Sequence, residues 1–391
     1  MTFRFVVDQI TKGRAYPALA QWQARPYTQN WREFGEHWPW TTPLRIEEYC
    51  RQHGYPIELY TLDEFPKHCW YPICLGFFDF DIDYMSLLPD ACRTALQQRR
   101  LRLLFMYHEG DNPVRIKHRL DSLCRQHGLD PACYVFVSSN TSANRLERCV
   151  TFQDFELWYY QRNLATNPLC VDINRSRDFL CLNRIHKSWR AAVMADLTSM
   201  GILDNSIWSY CNVNNNDDHE NPLQIDLIPQ LRYRTQRFLD QAPYLADNLT
   251  DDHRNDHSQL VPELYQSTFC NIVTESQLDV DQSGGVFLTE KTFKPIKHAQ
   301  MFFVVGAAGS LAELRRMGYS VFDHVLDNSY DLIEDATQRW ISLRDAIKQA
   351  HSQGMKLLYE QCLDNLAHNQ QLFLTAPAQR LNSLAKRLEQ I

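Results

Sequence analysis

The strongest constraint on the fold is an apolar run, an amphipathic stretch and a second apolar run in direct succession. "LRLLFMY" (101–107) has the length and character of a strand buried on both faces. A polar turn, "HEGDNP", leads into "IKHRLDSLCRQHGL", which reads as a helix closed by Gly128. "CYVFVSSN" then reads as a second buried strand ending in small polar residues. Strand, helix and strand in this order predict a parallel sheet and an α/β class.

The same grammar continues downstream. "DFLCLN" and "STFCNIVTES" read as strands, and so does "MFFVVG". "LPDACRTALQQRR", "HKSWRAAVMADLTSMGI" and "SLAELRRMGY" read as helices, the second with Trp189, Val193, Leu197 and Met200 near one face. "CNVNNNDDHENP" reads as a polar surface loop, and the first hundred residues as short strands and loops rich in aromatics. At 391 residues the chain exceeds one ordinary core. With a boundary between Asn167 and Asp178, we expect an α/β domain over 1–168, a second over 169–340, and helices packing back over 341–391. Two α/β domains facing a cleft would place ligands there.

A formal net charge of −7 argues against a surface built mainly for nucleic acid. The 12 cysteines form no CxxC pair and no ligand-spaced block, which suits reduced, buried thiols and a cytoplasmic protein. The first residues lack the features of a signal peptide, and no apolar stretch is long enough to span a membrane; peripheral association stays open.

Three polar clusters fall where chemistry would sit. His108, Glu109 and Asp111 follow a strand, at the edge where open parallel sheets bind ligands, and a carboxylate there could take a proton from a hydroxyl. The competing reading is a turn whose acids cap the next helix. In "LNRIHKSWR", Asn183 and Arg184 follow a strand, and Lys187 and Arg190 lie a turn apart at a helix start, a setting that attracts phosphate. In "FLTEK", Glu290 could accept ribose hydroxyls and Lys291 could neutralise a departing phosphate, with Lys294 and Lys297 nearby. The competing reading is a solvated Glu–Lys helix face.

The series of these elements resembles the α-1,3-fucosyltransferases and a broader set of bacterial and phage glycosyltransferases. In that family a strand ends in Ser-Asn with Arg seven residues on, then come a Phe-Glu-Asn-Ser strand, Thr-Glu-Lys, and an apolar strand ending in glycine. Asn183 and Arg190 match the first element, Glu275 and Ser276 the second, Thr289, Glu290 and Lys291 the third, and Gly306 the last. Thr274 replaces the family's Phe, the intervening Asn is missing, and "KTFKPIKHAQ" departs from the pattern, which leaves the donor sugar open. The resemblance spans about Phe179 to Gly306.

It implies a GT-B-like fold of two Rossmann-like domains with a helical C-terminal tail. It implies a nucleotide-sugar donor, a GDP-sugar favoured, moved to an acceptor hydroxyl without a cofactor or metal. Glu109 is the counterpart of the family's base, with inversion expected, and Glu275 would face the donor sugar or shape its pocket. The acceptor is open between glycan, lipid-linked, protein and nucleic acid. The alternatives are a DNA-modifying transferase, with "RTALQQRRLR" and "RIKHRLDSLCRQHG" as its basic faces, and a catalytically silent nucleotide- or sugar-binding protein. The rival to a metal-free site is "DFDID", where Asp79, Asp81 and Asp83 alternate as metal-binding acids do.

Overall fold

A computed structural model describes residues 2–7, 42–75, 83–162, 168, 170–213, 222–246, 260–279 and 285–391. The chain divides into two compact units: Met1–Gln161 with Asp281–Gly285 and Pro377–Ile391, and Arg162–Val280 with Val286–Ala376. The fold is α/β and both sheets are parallel.

The first unit carries β1 (Phe3–Val6), α1 (Thr42–His53), β2 (Ile57–Tyr60), β3 (Cys69–Leu75), α2 (Asp90–Gln97), β4 (Leu101–Tyr107), α3 (Pro113–Gln126), β5 (Tyr134–Ser138), β6 (Cys149–Thr151) and α4 (Asp154–Arg162). Its strands lie in the order β2-β1-β3-β4-β5-β6. One face of the sheet forms a core in which Tyr71, Ile73, Leu103, Phe105, Tyr107, Tyr134 and Phe136 pack against α2 and α3 through Cys92, Leu96, Ile116, Leu120 and Leu123. Burying such apolar side chains contributes roughly 1.5–3 kcal/mol each, before the entropy cost of ordering them. At β4's end, Asn140 holds the following turn by donating from Nδ2 to the Gly110 carbonyl (2.9 Å). Gly285 lies so close that a Cβ there would sit 1.7 Å from Asn140 Oδ1, so no larger residue fits without displacing that turn.

The second unit carries β7 (Arg177–Ile185), α5 (Ser188–Ser199), β8 (Ile207–Val213), α6 (Leu231–Gln241), α7 (Pro262–Gln266), β9 (Thr268–Thr274), α8 (Glu290–Lys297), β10 (Met301–Val305), α9 (Ser310–Arg316), α10 (Ala336–Gln353) and α11 (Met355–Glu360). The last helix, α12 (Leu363–Gln390), contributes residues to both units, the change falling at Pro377. The strand order is β10-β9-β7-β8. Arg175 fastens the amino edge of this sheet: its buried guanidinium donates to the carbonyls of Tyr265, Thr268 and Ala299 and lies over the Tyr359 ring.

Two expectations change. Helix α5 is buried on every side from Trp189 to Leu197, not on one face. It lies between the sheet and further helices, and its buried Asp196 accepts hydrogen bonds from Arg234 and Trp340 Nε1. The expected "CNVNNNDDHENP" loop begins later, since Cys211–Val213 complete β8; residues 214–221 lie outside the described residues. Among the described residues of the first hundred, the expected short strands are present, and β1, only four residues long, sits inside the first sheet between β2 and β3.

His298, at the end of α8, is wholly buried. Burial, aided by the charges of Lys297, Lys294 and Arg175, pushes its pKa down from 6.5 to about 3. The unfolded chain therefore binds a proton that the folded chain refuses whenever the pH lies between those values. Stability is fully present above pH 6.5 and falls as the pH drops below it, with a limiting slope of about 1.4 kcal/mol per pH unit. Urea unfolding between pH 7 and 5 should show this slope, and His298→Asn should remove it.

Candidate functional site

The order β10-β9-β7-β8 reverses between β7 and β9, so their connections leave on opposite sides. In open α/β sheets the crevice at the carboxyl ends of two such strands is where ligands bind. Two helices begin there: α5 directly after β7, and α8 after the segment that follows β9. Their first N–H groups supply partial positive charge.

The side chains at this point converge on residues 274–276. Lys187, at the N-cap of α5, donates from Nζ to the Ser276 carbonyl (2.8 Å). Lys291 Nζ lies 3.2 Å from Ser276 Oγ, Thr289 Oγ1 and Glu290 Oε1. Arg190 is buried beneath them and donates to the carbonyls of Glu275 (2.6 Å) and Thr274 (3.2 Å). Its Nε is buried without a hydrogen-bond partner among the described residues. Burial pushes the Arg190 pKa down to about 10, opposed by Glu275 and Glu290, so the guanidinium is still charged at neutral pH.

Glu275 holds this arrangement in place. Its Oε1 accepts from Thr289 N (3.0 Å) and Thr292 Oγ1 (2.6 Å), and its Oε2 from Ser276 N (3.1 Å) and Thr289 Oγ1 (2.6 Å). The carboxylate is thus used up in joining the end of β9 to the start of α8. Its acceptor sites are filled by the protein, which makes it a positioning residue for this junction. Thr289 caps α8, accepting from Lys291 N. Glu290 is only 3% exposed, which rules out the solvated Glu–Lys face.

Asn183 is also structural: its Oδ1 accepts from Thr274 Oγ1 (2.7 Å), tying β7 to β9. Arg184 is partly exposed at the end of β7. Sequence reasoning passed over Ser276 as a meeting point and His186, whose Nδ1 lies 2.6 Å from the Tyr210 hydroxyl. A histidine immediately before the N-cap lysine was the only signal for it.

The "HEGD" turn belongs to the first unit. His108 Nε2 lies 3.4 Å from Glu109 Oε1, and Asp111 accepts a hydrogen bond from the Tyr107 hydroxyl. Neither acid caps the next helix: Asn112 does, accepting from Val114 N (2.9 Å). Asp79 and Asp81 of "DFDID" lie outside the described residues, while Asp83 pairs with His127 (2.7 Å). Among the described residues no group of three or more His, Cys, Asp or Glu could hold a metal ion, and no helix is long and apolar enough to cross a membrane. No protein-family model matches the chain, and no curated protein matches it significantly in sequence.

Replacing Glu275 by Gln keeps the size but turns one acceptor oxygen into an NH₂ facing donors. At least two of its charge-assisted hydrogen bonds are lost, each worth roughly 1.5–3 kcal/mol. We expect a loss on the order of 3 kcal/mol in urea unfolding, with faster amide exchange at Thr289 to Thr292.

Proposed function

We propose that the chain is a glycosyltransferase of the GT-B class, which moves a sugar from a nucleoside diphosphate sugar to an acceptor hydroxyl. One observation carries this reading. Lys187 and Lys291 meet at Ser276, with Arg190 beneath, at a strand-order reversal fronted by two helix starts. That is an anion site with fixed positive charge, and Arg190, Ser276 and Lys291 are among the residues that carry the family resemblance.

The chemistry fits the charge. When the glycosidic bond breaks, the diphosphate takes the electron pair and gains negative charge. Cations already in position stabilise that state without reorganising. Lys187 and Lys291 are the partly exposed members, able to exchange their contacts at Ser276 for phosphate oxygens. Arg190 adds buried charge below them. Glu290, beside Lys291, is the acceptor for ribose hydroxyls. With these cations neutralising the leaving group, the reading gives a metal ion no role. Glu109 is the assigned base for the acceptor hydroxyl, and inversion at the anomeric carbon follows from a single displacement.

The test is a thermal-shift panel of GDP, UDP, ADP and CMP with their sugars, followed by a transfer assay on the best binder. A ligand at a hundred times its Kd stabilises the native state by about 2.7 kcal/mol. Lys291→Ala should raise the transfer barrier by about 2–4 kcal/mol, the usual size for one lost transition-state donor, with little change in unfolding midpoint. Turnover of the Ala variant at the wild-type rate, or no nucleotide shift at all, would overturn the reading.

A further inference from the structure

Two thiols of the first unit face each other across a short turn. Cys124 lies in the last turn of α3, and Cys133 immediately precedes β5. Both are free thiols, and their sulfurs are 3.9 Å apart, within hydrogen-bond range for sulfur. The backbone between them is held at both ends. Gly128 takes φ of 68°, the left-handed value that closes a helix, and Leu129 N donates to the Cys124 carbonyl (2.9 Å). Asp130 caps the short 3₁₀ turn Pro131–Cys133, its side chain accepting from Ala132 N (2.9 Å) and its carbonyl from Cys133 N (2.8 Å). The Tyr134 hydroxyl donates to Asp121 Oδ1 (2.5 Å), which fastens the start of β5 to α3 within a turn of Cys124.

The fold thus builds the meeting of the two sulfurs, and it gives them different surroundings. Cys124 is fully buried in the core, whereas Cys133 packs against that core and is partly exposed. A hydrogen bond from the Cys124 thiol lowers the Cys133 pKa, and the same bond together with burial pushes Cys124 up. A small oxidant therefore meets Cys133 first, with Cys124 behind it. Among the described residues no third His, Cys, Asp or Glu joins the pair in a group that could hold a metal ion, so metal binding does not account for it.

We propose that Cys124 and Cys133 are a reversible oxidation site, in which a small peroxide converts the facing thiols to a disulfide that ties the end of α3 to the start of β5. The Cys133 thiolate attacks the terminal hydroxyl oxygen of the peroxide. The S–O bond forms as the O–O bond breaks, and the departing alkoxide or hydroxide takes a proton from solvent, leaving a sulfenic acid and an alcohol or water. The Cys124 sulfur then attacks the Cys133 sulfur. The S–S bond forms as the S–O bond breaks, and the hydroxyl leaves with the Cys124 proton as water. The two thiols together lose two electrons, and the peroxide gains two. The sulfurs close to about 2.05 Å in this step, a small approach for side chains already in contact. The site goes beyond sugar transfer, and peptide mapping reads it without any donor or acceptor.

The experiment treats the native full chain with hydrogen peroxide, blocks the remaining thiols with iodoacetamide in urea, and maps tryptic peptides by mass spectrometry without reductant. Trypsin cuts after Arg119, Arg125 and Arg145, so the disulfide joins two separate peptides, 120–125 and 126–145. These should appear linked, each thiol having lost its hydrogen, and dithiothreitol should release them. Cys170 is the exposed reference thiol, and free Cys133 should disappear about tenfold faster, as a thiolate does against an ordinary thiol. In Cys124→Ser the sulfenic acid lacks its resolving thiol, and dimedone should trap it on Cys133. In Cys133→Ser the buried Cys124 should take up no dimedone. The linked peptide of the unsubstituted chain is read without either variant, which keeps the test decisive if a variant folds poorly. Cys124 and Cys133 both fully alkylated once Cys170 is oxidised, either of them linked to a different cysteine, or a dimedone adduct on Cys124 ahead of Cys133 would overturn the proposal.

Discussion

A carboxylate taken out of water costs several kcal/mol unless its lone pairs are all used. Glu275 meets that condition with two backbone N–H groups and two threonine hydroxyls. The requirement fixes more than one residue. Thr289 and Thr292 must present their hydroxyls towards the end of β9, which sets where α8 starts and how it is rotated. Lys291, one residue from the carboxylate's nearest partner, is thereby turned towards Ser276. A surface Glu–Lys pair would be worth a few tenths of a kcal/mol and would position nothing.

Arg190 is the complement of that arrangement. Its hydrogen bonds run to the backbone carbonyls of Ile185, Thr274 and Glu275, so the two strands at the switch point carry the cation between them. A lysine could not span these acceptors, because it lacks the planar fork. The cost of burial shows in the lowered pKa, yet about 10 leaves the charge intact at physiological pH. Positive charge is thus present before any ligand arrives, which is the condition for electrostatic preorganisation.

How much of this was legible depends on what the residues had to satisfy locally. Strands β4, β5, β9 and β10 announced themselves as apolar runs because both faces are buried. Strand β1 did not, since four residues make too short a run to show a period. Lys187, Arg190, Glu290 and Lys291 could be named from strand ends and helix starts. In sequence, Arg190, Glu290 and Lys291 also resemble a family pattern. The role of Glu275 could not be read, because its four donors come from residues up to seventeen positions away, brought near only by folding. The burial of α5 all round was equally hidden, since Arg190 and Asp196 look like solvent-facing residues until their partners are in place.

The two sheets share one plan. Counted within each unit, the order runs second, first, third, fourth, with β2-β1-β3-β4 in one and β8-β7-β9-β10 in the other. Equivalent positions at the carboxyl edge therefore exist in both. In the second unit the strands flanking the reversal lead to Lys187, Arg190 and the Glu275 junction. In the first, the fourth strand leads into the turn that carries His108 and Glu109. The backbone supplies the same opening in each case, with unpaired strand ends and helix starts facing one edge. What differs is the side chains. Three cations gather at one edge, whereas the other carries an imidazole beside a carboxylate. Topology thus decides where chemistry can occur in each unit, and the few residues after each strand decide which chemistry it is.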